Sequence, residues 1–269
     1  MFAELKRAIF KKSNLILIFI VFIILFAYAY QNGLKTSFNI DHASDITRDP
    51  EKIETILFIK KFNANFFRIV LDSYLPIQIL APVLLLVPYL LSIYNEKSNH
   101  FRYLMVSRKG NKKYIIHKTL AIAISGTLIL ALAEILFGIF TYFISYHDIT
   151  PDFLNGLVIN EYSSFLYTKP YQFVIYQYLS HILYYFAFLI FIVGLTSFLK
   201  NKIAIIVSPF IISTILEMVL PLSLKPYVTM KMTEAAFTLN GYLIIISIYF
   251  IIGIITLIIS EKIYLGKGV

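Results

Sequence analysis

Three ionisable side chains sit inside long apolar runs of this chain: Glu134, His181 and Glu217. An acid near mid-bilayer costs about 2.5–3.5 kcal/mol on insertion scales, so such a residue needs a partner or a task. Three chemistries remain open. The groups could line an outward-facing polar cavity that holds a substrate or exchanges protons. They could form the polar centre of an intramembrane enzyme. The plainer alternative is that each carboxyl is protonated or hydrogen-bonded to a neighbouring Tyr or Ser between helices. Metal chemistry finds no footing, because His42, His100, His117 and His147 are scattered without ligand spacing and the chain has no cysteine. Neither a Ser–His–Asp arrangement nor a Gly-x-Ser-x-Gly turn suggests a hydrolase.

A second stretch with chemical character is Tyr94–Lys118, where seven bases accompany one acid, Glu96. Phe101, Leu104 and Met105 stand at i, i+3, i+4 spacing and predict a short helix with an apolar face. Arg102 and the Ser107-Arg108-Lys109 turn are then free to meet a partner or lipid headgroups. Gly110-Asn111 breaks this helix before a second piece feeds the next apolar run. A cytoplasmic segment over 95–118 that meets a partner is one reading, and a basic connector without a partner is the other.

The elements that must position these residues are six apolar runs: Leu15–Tyr30, Leu75–Tyr94, Thr119–Tyr146, Phe173–Leu199, Ile203–Leu222 and Gly241–Ile259. Each approaches the length of about 20 residues that a helix needs to cross a hydrocarbon layer. Backbone in lipid must satisfy its own hydrogen bonds, so the runs are predicted as helices. With 59% hydrophobic and only 14% charged residues, the expectation is an all-α integral membrane protein, a single transmembrane domain over 1–269. If the N-terminus is cytoplasmic, fifteen of the 24 Lys and Arg fall on the inner side against Glu4, Glu96 and Glu261. The net charge of +9 is thus a positive-inside topology signal with attraction to anionic lipid, not a sign of nucleic-acid binding. Six spans place both termini in the cytoplasm.

Several local expectations follow. Residues 1–12 suit an interfacial helix or a plain basic anchor. The first run lacks a small-residue cleavage site and is expected to stay as a span. An outer segment covers 31–72. Within it Asp49-Pro50-Glu51 starts a helix, Ile56–Val70 lies along the outer surface, and Arg68 can pair with Asp72 four residues on. Pro76, Pro82 and Pro88 kink the second span, either for movement or for packing. Residues 222–238 form an outer cap or a partly re-entrant element.

The Tyr94–Lys118 arrangement resembles the membrane subunits of ABC-2-type ABC transporters. There an acid follows span two, then a short coupling helix, a Ser/Arg turn, a basic aromatic stretch and a Lys entering span three. Glu96, Phe101–Met105, Ser107-Arg108, Lys112-Lys113-Tyr114 and Lys118 stand at the matching positions, with Asn99-His100 where the family commonly has Gly-Thr. The run from Phe191 to Lys202 is similar to the family's end of span four, where a Gly-Leu-small-Ser pattern meets a basic turn. The resemblance implies a permease subunit of an exporter, paired with a second permease subunit and served by separate cytoplasmic ATPase subunits that carry ATP and Mg. This chain has no G-x-x-x-x-G-K-S/T loop to cradle nucleotide phosphates and is expected to bind no cofactor itself. Glu96, Phe101, Arg102, Leu104, Met105 and Arg108 become the implied ATPase contacts. Within the family the chain looks most like small permeases for peptide antimicrobial export or self-protection. A non-transporting immunity or scaffold protein is the further alternative.

Overall fold

A computed structural model describes residues 12–43, 50–85, 110–149, 160–199 and 201–266, together with Lys6, Ile9, Asn95 and Val106. Most of the interfacial helix expected over 1–12, the second half of span two and the coupling helix lie outside the described residues. So do Glu96, Phe101, Arg102, Leu104, Met105 and Arg108.

Helix follows helix from α1 (Lys12–Ala29) to the last element. The first span does not end near Tyr30. It continues through a π-helical turn, Tyr30–Leu34, into α2 (Lys35–Ala43). The wider turn is closed by the Lys35 N–H donating to the Tyr30 carbonyl, which absorbs Gln31-Asn32-Gly33 without breaking the helix. Helix α3 (Pro50–Asn63) opens on Pro50 with Glu51 in its first turn, as its sequence predicts.

The expectation of a surface-lying stretch over Ile56–Val70 is corrected. Asn65 ends it, because its side-chain oxygen accepts from the Phe67 and Arg68 N–H groups and starts α4 (Phe66–Asp72). The same Asn65 donates to the Asp148 carbonyl at 2.9 Å, while Phe66 N–H donates to the Tyr146 carbonyl at 2.8 Å. So pinned, α4 turns inward and buries Phe66, Phe67, Ile69, Val70 and Leu71. Arg68 and Asp72 do pair, at 3.9 Å.

Helix α5 (Leu75–Leu84) meets α4 at a bend of 40°. Pro76 lies in its first turn and has no N–H to offer the preceding turn, so the chain restarts rather than continues. Next come α6 (Asn111–Ile144), α7 (Ser163–Thr168), α8 (Pro170–Thr196), α9 (Lys202–Val219), a 3-10 turn Leu222–Leu224, α10 (Pro226–Met230) and α11 (Leu239–Gly266). Gly110, with φ of 77°, supplies the left-handed turn from which α6 starts.

Five helices are long and apolar enough to cross a membrane, or six if the bent α4–α5 pair counts as one span. The chain is therefore a multi-pass helical membrane protein, and no strand occurs among the described residues. Exposed Leu15, Phe19, Ile23, Ile139, Phe143, Phe210 and Ile254 give it an apolar exterior suited to lipid.

The core is centred on α8. Its inner face buries Phe173, Tyr185, Phe188, Leu189 and Ile192 against α6 and α11. A Cβ on Gly253 would lie 2.9 Å from the Ile190 carbonyl and from the Phe191 Cα, so small residues let α8 and α11 touch backbone to backbone. Without a hydrophobic drive between helices in lipid, such close van der Waals contact is the main source of association. By contrast α9 is barely enclosed by the rest of the bundle.

Gly253→Leu should force these helices apart and cost about 1–3 kcal/mol, as overpacking does. Thermal unfolding in detergent should show a clear drop, while Ile255→Leu on the lipid face leaves the midpoint in place. Equal melting of both variants would contradict the packing described.

Candidate functional site

Helix α8 carries Gln177, His181 and Tyr185 at successive i+4 steps, which places them on one face. That face meets Glu134 of α6. The carboxylate oxygen Oε2 of Glu134 lies 3.0 Å from His181 Nδ1, and its Oε1 accepts from the Tyr185 hydroxyl at 2.5 Å. Tyr178, three residues before His181 and on the same side of the helix, donates to the Glu134 main-chain carbonyl at 3.3 Å. The edge-to-face Tyr74 ring stands 4.7 Å from the His181 ring at 90°.

The other edge of His181 faces main chain. Its Nε2 is 2.8 Å from the carbonyl of Met230, where α10 ends. Gln177 Nε2 donates to the same carbonyl at 2.7 Å, and the Met232 N–H donates to Gln177 Oε1 at 2.9 Å. Residues 226–232 therefore dip back into the bundle, with Pro226, Val228, Thr229 and Met230 buried. Within the stretch 222–238, expected as an outer cap or a partly re-entrant element, this is a segment packed into the helical bundle.

Proton bookkeeping follows from the partners. His181 Nε2 lies 2.8 Å from the Met230 carbonyl and 2.6 Å from the Gln177 amide nitrogen, so it donates to the carbonyl in one tautomer and accepts from Gln177 in the other. Nδ1 shares one hydrogen bond with the Glu134 carboxyl, as donor or acceptor according to the tautomer. Both residues are buried, so a net charge on the pair would be costly. The arrangement can hold a proton between the two side chains, and residues 230–232 cover its Gln177–His181 edge. No group of three or more metal-ligating side chains occurs among the described residues.

Glu217 does not join this cluster. Its carboxylate accepts from the Tyr227 N–H, satisfying the start of α10 next to Pro226, which has no N–H. The Tyr227 hydroxyl donates to Glu234 at 2.9 Å, and Lys231 pairs with Glu234 at 3.2 Å. Burial first, and then the hydrogen bond to Glu234, push the Tyr227 hydroxyl up to about 12. Glu217 is thus an anchor of the segment that packs into the bundle. Of the three ionisable span residues, the structure brings Glu134 and His181 together and sets Glu217 in another network.

Sequence reasoning missed Gln177, Tyr185 and Tyr74. The four-residue spacing of Gln177, His181 and Tyr185 was a usable signal. The Met230 carbonyl left none, being main chain. Beside the cluster an apolar crevice of about 410 Å³ opens between α6 and α8, walled by Ile135, Ile139, Tyr142, Phe143, Tyr171 and Tyr178. Tyr178 separates it from Glu134.

Contact between Glu134 and His181 should appear as non-additivity. In a double-mutant cycle of Glu134→Gln and His181→Phe, unfolding in mixed micelles should give a coupling of about 0.5–3 kcal/mol. A coupling near zero would mean that the two side chains do not meet. Glu217→Gln, which retains the acceptor oxygen, should cost less than about 1 kcal/mol in the same assay.

No family model, curated relative or solved structure matches the chain.

Proposed function

We propose that this chain is the membrane-spanning permease subunit of an ATP-driven exporter of the ABC-2 type, acting in the cell membrane. A separate cytoplasmic ATPase binds ATP and Mg, and a second permease subunit, identical or related, completes the pathway. The observation that carries this reading is the continuity of α6. Its 34 residues make a rod of about 51 Å, well beyond a hydrocarbon core of about 30 Å. One end begins at Gly110, directly after the basic segment that resembles a coupling element, and bears Lys112 and Lys113. About 35 Å along the same rod stands Glu134. A displacement that reaches the start of α6 is carried along this one rod to the Glu134–His181 bond.

The substrate proposed is an amphipathic compound, with a peptide as the leading class. The apolar crevice between α6 and α8 supports this, since such a compound has an apolar face to bury. The rival reading, an intramembrane enzyme, draws on the same Glu134–His181 bond but without Glu217, which is engaged with Tyr227. Glu134→Gln distinguishes them. Modest loss of transport fits a packing role, while complete loss with intact assembly fits catalysis or a proton relay.

Affinity purification of the full chain in mild detergent should recover a nucleotide-hydrolysing partner. Replacing Arg102 and Arg108 by Glu should lower that recovery by about tenfold or more, the effect of losing about 1.4 kcal/mol of binding, with membrane insertion intact. Unchanged recovery in that variant, or activity of the chain with no such partner, would defeat the proposal. Recovery of a different, non-hydrolysing protein would favour an immunity or scaffold role.

A further inference from the structure

The contact between Gln177 and residues 230–232 has the form of one strand edge meeting another. Lys231 is extended, with φ of −119° and ψ of 100°. In an extended chain the carbonyl before a residue and the N–H after it point to the same side, and a neighbouring strand normally bonds both. Here one primary amide does so: Gln177 donates to the Met230 carbonyl at 2.7 Å and accepts from the Met232 N–H at 2.9 Å. His181 adds a second approach to the Met230 carbonyl at 2.8 Å. Every atom recognised in the segment is main chain, so any extended peptide carries the same pair.

We infer that Gln177 and His181 form a receptor for peptide main chain, and that residues 230–232 occupy it in cis as a displaceable plug. This rests on the exporter reading and deepens it by naming an extended peptide as the ligand. The plug is fastened by few polar links beyond the receptor itself: Asn160 donates to the Met232 and Glu234 carbonyls at 2.8 Å, and Glu217 holds the Tyr227 N–H. It also keeps a penalty in place, since the buried Thr233 hydroxyl has no hydrogen-bond partner among the described residues. Release would give that hydroxyl to water. An arriving peptide replaces the lost main-chain bonds one for one, so exchange loses no hydrogen bond at Gln177.

The chain has no cysteine, so Thr233→Cys provides a unique reporter in the full-length protein in lipid nanodiscs. The probe is a synthetic peptide copying residues 228–234, acetylated and amidated at its ends. Maleimide labelling of the reporter should be slow alone and about fivefold faster with saturating peptide, about the population change of one net hydrogen bond. A second peptide, N-methylated at the amide that copies Met232, should have no effect. Adding Gln177→Leu should speed basal labelling and abolish the response to peptide. Gln177→Glu, which keeps the acceptor and loses the donor, does the same to a smaller degree and serves if the Leu variant fails to assemble. No acceleration by peptide in the Gln177 protein overturns the inference, and so does equal acceleration in the Gln177→Leu protein or by the N-methylated peptide. The measurement uses neither an ATPase nor transport, so its failure leaves the permease reading standing. Conversely, an absent ATPase partner leaves a positive result standing.

Discussion

A carboxylic acid enclosed in a helical bundle within lipid must be neutralised where it stands. Glu134 meets that requirement with one histidine and one tyrosine from a single neighbouring helix, His181 and Tyr185. Both contacts demand a fixed rotation and depth of α8 against α6, since a shift of one residue along α8 turns the pair away by about 100°. The polar bond therefore sets the register that dispersion forces alone would leave loose. Tyr178, bonding the Glu134 carbonyl from the same helix, reinforces that register.

The opposite side of α8 has another job. Near its end, Gly194 and the facing Gly253 of α11 let two backbones touch, so the helix is gripped by polar bonds at one level and by close packing at another. Between these levels lie the aromatic contacts of Tyr184, Phe188 and Phe191 with Tyr249. The result is a stiff unit of α6, α8 and α11. The bent pair α4–α5 and the segment 226–232 are short pieces packed against it, and α9 is barely enclosed.

Parts of this arrangement were legible beforehand. Apolar length predicted the spans, Pro50 and Glu51 marked a helix start, and Arg68 with Asp72 announced a pair. Glu134 and His181 stood out because each is expensive in an apolar run. Glu217 looked equivalent by that criterion and proved otherwise. Its role is set by the Tyr227 N–H, which arrives from a loop ten residues later. Asn65 lay inside the stretch Ile56–Val70 expected along the outer surface, yet it caps α4 and ties that helix to the end of α6. The cap is local, but the tie depends on where Tyr146 and Asp148 lie, 81 and 83 residues away.

By itself, then, the sequence determined that this protein is helical and membrane-embedded, because hydrophobicity, run length and backbone hydrogen bonding are local properties. It also marked which residues would be costly to bury. The tertiary structure decided how that cost is met. Pairing of Glu134 with His181, the insertion of α4 and the return of Met230 into the bundle all join residues 47 or more positions apart. Such contacts follow from the rotation and depth of packed helices, which no single segment encodes.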